Sequence, residues 1–332
     1  MIRYGLLGFG HHCVKRVVPA FPGARSSVLA GLWRRDLVKA AANAREYNVE
    51  HVFQTAEDLC AASDIDAVFV TSPDALHLPH VLLALSQGKP VLCEKPLAMN
   101  AAEVAQMVAT ATAAGLCLGV AQNFRYNTSL EVIRQWIADG RIGRPVLAHA
   151  QFCYAADTSP RGWIYDPALA CGGPIGDVGI HCIDALRFVL DSRVAAVGAL
   201  ARADAASAPL EAYASISLDF SSGAMGAVTV STRGAYRSLL EVTGETGAIV
   251  SQFGLTVEND VDVELWLGGQ VAERKTVSNR DGYTRMLDSF ADWVEGHGTY
   301  RATGADGLHN QQVLDAAYAS WRTGKRQELP AV

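Results

Sequence analysis

The chain has 332 residues, half of them hydrophobic, and a formal net charge of −6. That length can bury a large core and points to more than one domain, while the acidic balance offers no basic face for nucleic acid or an anionic membrane. No apolar run approaches the roughly 18 residues that span a bilayer, and MIRYGLLGFG at the start carries no charged-then-apolar leader, so a soluble, cytoplasmic protein is expected.

In chain order, the first 120 residues alternate between two periodicities. Short apolar runs at 2–8, 27–33, 66–72, 90–94 and 116–122 read as buried strands. Between them, Ala- and Leu-rich stretches at 36–47, 76–87 and 100–114 read as helices. The last opens with Asn100 and has Glu103 three residues later, an N-terminal capping pair. Such alternation predicts βαβ units and a parallel sheet. Beyond residue 122 the texture changes. A helix over 129–139, ended by Gly140, is followed by alternating segments at 146–155, 194–203, 212–220, 224–233, 237–243 and 261–267. Ser221-Ser222-Gly223 joins two of them as a hairpin turn. Strand after strand predicts a mostly antiparallel sheet, and helices at about 284–296 and 304–322 close the chain. The fold class is therefore α/β, a Rossmann domain over 1–122 followed by an α+β domain over 123–332. The seven cysteines are scattered, with no CxxC pair, and read as small buried hydrophobes rather than disulfides or zinc ligands.

The loop Gly8-Phe9-Gly10-His11-His12-Cys13 follows the first strand and opens a helix, the setting in which G-x-G-x-x-G binds a dinucleotide. The first glycine makes the turn, the second admits the pyrophosphate, and helix N–H groups hold the phosphates. Cys13 stands in the third glycine position but is small enough for close helix–strand packing. The second strand ends LWRRD, so Arg34 occupies the place of the acid that would bind a ribose 2′-hydroxyl, with Arg35 beside it. Two guanidinium groups suit a 2′-phosphate, and Asp36 is left to cap the next helix. The expectation is NADP(H), with NAD(H) as the alternative.

The fifth strand runs into Glu94-Lys95-Pro96, at the carboxyl end of a parallel strand where open α/β sheets bind ligands. Lys95 there is a candidate to polarise a hydroxyl or carbonyl oxygen. Farther on, CGGPIGDVGIHCID places Asp177 four residues before His181, on one face of a helix. Such a pair can cap a helix, hold a metal or move a proton. A metal needs a further ligand, and no nearby Cys or His has ligand spacing.

Together, GLLGFG, DAVFVTSPDALH (66–77), ALSQGKPVLCEKPLA (84–98), NFRYNTSL (123–130), GGPIGDVGIHCIDALRFVL (172–190) and the closing YTRMLDSFADWV resemble the Gfo/Idh/MocA oxidoreductase family, which includes glucose–fructose oxidoreductase and inositol dehydrogenase. The resemblance covers nearly the whole chain. It implies a large, open-faced second sheet through which family members form homodimers or homotetramers, and catalysis between the domains. It matches Lys95, Asp177 and His181 to the family's catalytic set, and Ser72, Pro73, Asp74 and His77 to a cofactor-side loop in which Asp74 replaces the usual Asn. Arg125, Tyr126, Trp163, Asp166 and Tyr283 fall near segments that line the family's substrate site, although Ile164 stands where many relatives carry Arg. The implied activity is oxidation or reduction of a secondary hydroxyl or carbonyl on a sugar, polyol or related compound, with His181 as acid/base. A dinucleotide-binding regulatory protein without turnover, and a cofactor-retaining glycosidase with no net redox, are the alternatives.

Overall fold

The structure is a computed structural model that describes residues 1–156 and 160–330. The chain forms two compact units. The first comprises residues 1–121, 168–170 and 283–308; the second comprises 122–167, 171–282 and His309 onward. Residues 168–170 and 283–308 thus sit with the first unit, whereas a single boundary at 122 would assign them to the second domain.

In the first unit, β1 (Ile2–Leu7), β2 (Ser27–Trp33), β3 (His51–Val52), β4 (Ala67–Val70), β5 (Val91–Cys93) and β6 (Leu118–Val120) form one sheet in the order β3-β2-β1-β4-β5-β6. Every pairing in it is parallel. Helices α1 (Leu37–Tyr47), α2 (Ala56–Ala61), α3 (His77–Ser86) and α4 (Ala101–Ala114) connect the strands. Parallel strands covered on both sides need apolar residues throughout, and β4 and β5 are buried at every position. The strand order reverses direction between β1 and β4, which opens a crevice at their carboxyl ends. Sequence signals fix the helix ends. Asp36 accepts from the Lys39 amide at 3.0 Å to start α1, and Asn100 accepts from the Glu103 amide at 3.0 Å to start α4. Glu103 reaches back to the Met99 amide at 3.2 Å, one residue earlier than the usual capping box.

The helix expected after the glycine loop is short and irregular. It is a π-turn over Cys13–Val17 followed by a 3₁₀ segment over Val18–Gly23. Pro19 and Pro22 lie in that segment and lack the N–H groups that would continue an α-helix.

In the second unit, α5 (Thr128–Ala138) and α6 (Ile180–Leu190) accompany a ten-stranded sheet. Its strands are β7 (Pro145–Ala155), β8 (Val194–Arg202), β9 (Tyr213–Phe220), β10 (Met225–Ser231), β11 (Arg233–Arg237), β12 (Leu240–Gly244), β13 (Gly247–Ser251), β14 (Asp260–Leu267), β15 (Gln270–Ser278) and β16 (Gln327–Glu328). The order is β15-β14-β13-β12-β7-β10-β9-β8-β16, with β11 also paired to β7. Among the described residues only β7 and β10 run parallel; the other pairings are antiparallel. Along β9, Ala214, Ile216, Leu218 and Phe220 are buried, while Tyr213, Ser215 and Ser217 are exposed. That period of two turns one face onto α6, whose residues from Ile180 to Val189 are all buried. Gly223 takes φ +86° in the expected 221–223 hairpin, a left-handed value that glycine adopts without strain. Helices α7 (Gly282–Val294) and α8 (Gly304–Thr323) lie near the end of the chain. Among the described residues no helix is long and apolar enough to cross a membrane.

Candidate functional site

The candidate residues gather in two places, one in each unit. In the first unit they lie on the loops that leave the carboxyl ends of β1, β4 and β5. Gly8 has φ +101°, and a Cβ there would stand 2.6 Å from the Ser72 amide nitrogen. Only glycine lets the β1 loop approach the β4 loop so closely. A Cβ on Gly10 would meet nothing nearer than 3.8 Å, so the second glycine is bounded by open space, as a loop that admits a ligand to its backbone requires. Thr71 donates its hydroxyl to the Gly8 carbonyl at 3.1 Å, and Cys13 Sγ lies 3.5 Å from the same hydroxyl. Cys13 is fully buried, and burial pushes its thiol up to about 12; it packs as the small third-position residue.

His77 ties the β4 loop to the β5 loop. Its Nε2 lies 2.8 Å from the Ser72 carbonyl and its Nδ1 lies 2.9 Å from the Pro96 carbonyl. His80 Nδ1 lies 3.0 Å from Ser72 Oγ. Asp74 follows Pro73 and is buried at the start of a 3₁₀ turn over Asp74–Leu76. The Lys95–Pro96 peptide is cis, and Lys95 is half-buried. Glu94 Oε1 lies 3.1 Å from His12 Nε2, and Tyr283 Oη lies 3.4 Å from the same nitrogen. Burial alone would raise the Glu94 carboxyl, but the charge and hydrogen bond of His12, with Lys95 next to it, outweigh burial and hold it below the usual value. His11 is exposed, and Phe9 is buried with its ring 6.2 Å from that of Tyr47. Arg34 donates from Nη1 to Asn43 Oδ1 at 2.8 Å, while Arg35 is exposed.

In the second unit the site starts where the chain enters α6. A π-turn over Ile175–Gly179 carries Asp177, and His181 is the second residue of α6. Two glycines fix the approach. A Cβ on Gly172 would overlap the Tyr318 hydroxyl at 1.6 Å, and one on Gly173 would overlap the Glu211 carbonyl at 2.0 Å. The Glu211 carboxylate accepts from the Gly173 and Ile175 amides at 3.1 and 2.8 Å, and from the Tyr318 hydroxyl at 3.0 Å. Burial raises the Glu211 carboxyl against those donors. Glu211 thus takes amide donors at the start of the turn, the orphan groups of a helix N-terminus.

Asp177 is engaged elsewhere. Tyr154 donates a hydrogen bond to Asp177 Oδ2. Arg161 donates to Oδ1 at 3.3 Å, to Oδ2 at 3.2 Å and to the Tyr154 oxygen at 3.2 Å. Burial, and then the Asp177 charge, push the Tyr154 phenol upward. A cavity of about 10 Å³, roughly one water, lies among Tyr154, Tyr165, Asp177, Ser207, Glu211 and Thr232. Trp163 is half-buried on the Gly162–Tyr165 turn, and Asp166 just after it is exposed. The Phe124 ring lies 4.4 Å from that of His181.

Arg125 does something else. Its guanidinium grips Asp184 through three hydrogen bonds of 2.7 to 3.1 Å, and Asn310 donates to the same carboxylate at 2.8 Å. Tyr126 beside it is buried. Tyr154, Arg161, Glu211 and Tyr318 were not singled out in the sequence. None belongs to a local motif, and the alternation that turns Tyr154 toward the core side of β7 was the only signal.

A model of an oxidoreductase family with an NAD-binding Rossmann fold matches residues 2–122, and a GFO/IDH/MocA C-terminal domain model matches 130–250. The chain is 30% identical over 332 residues to 1,5-anhydro-D-fructose reductase of Ensifer adhaerens, covering 99% of each chain. It is 29% identical over 330 residues to D-xylose 1-dehydrogenase (NADP(+)) 2 of Haloferax volcanii, covering 98% of this chain and 99% of that one. The crystal structure of an aldose-aldose oxidoreductase from Caulobacter crescentus shares the fold with a TM-score of 0.89, at 24% identity over 99% of both chains.

Proposed function

This chain belongs to the Gfo/Idh/MocA oxidoreductase family, and on that footing we propose that it is an NADP(H)-dependent enzyme oxidising a secondary hydroxyl, or reducing the matching carbonyl, of a sugar, polyol or related compound. Residues 1–122 serve as the nucleotide-binding domain and 123–332 as the substrate-binding domain, apart from 168–170 and 283–308, which sit with the first unit. The observation that carries the reading is the Asp177–His181 pair: an acid held by Tyr154 and Arg161 and an imidazole four residues later, in a chain similar from end to end to a sugar reductase.

The first unit has the features a dinucleotide needs. Gly8 closes on Ser72, Gly10 is open, and the Gly8-to-His12 backbone stands at the crevice of the sheet. Ser72, Pro73, Asp74, His77 and Glu94 border the same loops. Arg34, steadied by Asn43, and the exposed Arg35 suit a 2′-phosphate, which supports NADP(H) over NAD(H). When bound, the dinucleotide supplies the hydride donor or acceptor.

The chain's own residues handle the proton and the charge. His181 takes the hydroxyl proton during oxidation and returns it during reduction. Lys95 steadies the developing alkoxide by charge and hydrogen bonding. Asp177 orients the reacting group or the imidazole. Trp163, Asp166 and Tyr283 contribute aromatic faces and polar tips for a hydroxylated ring; Tyr126, which is buried, and Arg125, through its ion pair with Asp184, support that wall from behind. The exposed face of the second sheet carries Leu147, Tyr213 and Met225 beside small polar residues, which supports a homodimer or homotetramer built on that face. None of the seven cysteines is joined in a disulfide, which supports a reducing, cytoplasmic setting.

The test is a panel of sugars, inositols, anhydro-sugars and trans-dihydrodiols, followed by nicotinamide absorbance with both cofactors. His181→Ala is expected to lose about 10²–10⁴-fold in turnover while keeping NADPH binding. Wild-type turnover in that variant rules out the acid/base role. No nicotinamide turnover across the panel, with NADPH still bound, favours the regulatory or non-net-redox alternative.

A further inference from the structure

We propose that Tyr154 and Arg161 are positioning residues that act on the reaction through Asp177, holding its carboxylate as a fixed anion so that the proton travels through His181 alone. The inference rests on the reading that Asp177 and His181 serve the reacting hydroxyl.

The geometry begins with β7. Ala148 and Ala150 are buried on its core side, and side chains alternate along a strand, so Tyr154 faces the core side as well. The same face carries Phe152, whose ring lies 6.5 Å from that of Tyr154 at 88°. From that position the Tyr154 hydroxyl meets Asp177 Oδ2. Arg161 closes the arrangement by bridging both carboxylate oxygens and the phenol oxygen. The result is a closed ring of three side chains drawn from a strand, a loop and a π-turn.

Three physical consequences follow. An arginine is charged at any working pH and favours an ionised carboxylate within reach. A phenol that burial and a neighbouring anion keep protonated can only donate to that carboxylate, which favours the anion again. The carboxylate is also fixed in rotation, because donors at both oxygens resist a turn about its terminal bond. Asp177 is therefore a poor proton carrier and a good fixed charge, four residues from a histidine that must become imidazolium in oxidation. A fixed anion beside a base that gains a proton stabilises the protonated form.

Other titratable groups stand near this carboxylate among the described residues. Tyr165 and Glu211 line the same cavity and His181 follows on the helix; of the strands packed on the π-turn, β7 carries His149 and Cys153 besides Tyr154, and β10 presents no titratable side chain. Arg161 donates to both oxygens of Asp177, so removing its charge acts on that carboxylate directly. Arg161 also lies two residues before Trp163, so the cation near this turn is committed to an internal carboxylate. That matches a neutral, hydroxyl-bearing substrate better than an acid.

The test uses the whole protein with NADPH and its best substrate from the panel. Arg161→Gln is expected to shift the acidic limb of kcat/KM upward by about one pH unit, since losing the cation makes Asp177 easier to protonate. Arg161→Lys keeps the charge and is expected to leave the limb in place. Tyr154→Phe is expected to lower kcat by about tenfold with the KM for NADPH unchanged. The inference is overturned if the Arg161→Gln limb coincides with wild type, if Arg161→Lys shifts as far as Arg161→Gln, or if Tyr154→Phe changes thermal stability without changing kcat. Asp177→Asn separates the two levels. Wild-type turnover there sinks the underlying reading of the site. Lost turnover there, with unaffected Arg161 and Tyr154 variants, sinks the positioning roles alone.

Discussion

Arg125 provides a sharp test because its residue type suits a substrate contact and its geometry points to a structural one. Its side chain is 7% exposed and that of Asp184 is 1% exposed. Three hydrogen bonds join them, and Arg125 also lies 5.7 Å from the centre of the Phe188 ring. Arg125→Met removes one partner of a buried pair, which typically costs about 3–5 kcal/mol because the other charge is stranded. Asn310 still donates to Asp184 at 2.8 Å and Arg187 remains 3.9 Å away, which favours the lower end, about 3 kcal/mol. At roughly 2–4 °C per kcal/mol for a domain of 150–250 residues, the second unit's melting transition should fall by about 6–12 °C. The double variant Arg125→Met/Asp184→Leu should recover at least about half of that, since exchanging a whole buried pair for apolar groups is close to neutral. Calorimetry and substrate KM measured on the same samples decide the matter. A melting transition within about 2 °C of wild type, together with a KM raised severalfold, would show that Arg125 holds substrate rather than structure.

Three further outcomes are expected. Gly8→Ala should weaken NADPH binding by about tenfold or more, since alanine at φ +101° costs about 1–2 kcal/mol and its Cβ must displace the Ser72 backbone; fluorescence titration with NADPH measures it, and unchanged affinity refutes the close-approach argument. Arg34→Asp should reverse the ratio of kcat/KM for NADPH over NADH, and an unchanged ratio removes Arg34 from the 2′-phosphate site. Burial lowers His80 from 6.5 to about 4, so the fold favours its neutral form; the associated stability is complete above pH 6.5 and falls by up to about 3 kcal/mol as the pH drops toward 4. His80→Asn keeps a hydrogen-bonding partner for Ser72 and should flatten that part of the stability profile in denaturant unfolding, whereas a profile parallel to wild type contradicts the assignment.

The legible parts of this chain are those that physics writes locally. Buried parallel strands such as β4 and β5 read as short apolar runs, and Asp36 and Asn100 announce helix starts, because a cap needs only three residues of sequence. The glycine loop was legible for the same reason, but the helix after it was not, since Pro19 and Pro22 divert it into π and 3₁₀ turns. β15 escaped notice because it is almost wholly exposed and carries no apolar alternation. The site partners were invisible for a different reason: Tyr154 and Glu211 reach the Asp177 turn from 23 residues before Asp177 and from 36 residues after Ile175, and no short-range pattern encodes such a meeting.

That last point bears on the ambiguity of an acid four residues before a histidine at a helix start. Spacing alone lets Asp177 be the cap. The amides that a cap would satisfy are instead taken by Glu211, which accepts from Gly173 and Ile175 and also from the Tyr318 hydroxyl. Gly172 and Gly173 let Tyr318 and Glu211 come this close, since a Cβ on either would overlap them. A buried carboxylate brought in from outside the motif thus performs the structural task, and the carboxylate inside the motif is held by a phenol and a guanidinium instead. A residue serving only as a cap would need neither of those donors. The division of labour between Glu211 and Asp177 is therefore the structural reason to read Asp177 as part of the chemistry, and it makes Glu211→Gln and Asp177→Asn a diagnostic pair, the first costing stability and the second costing turnover.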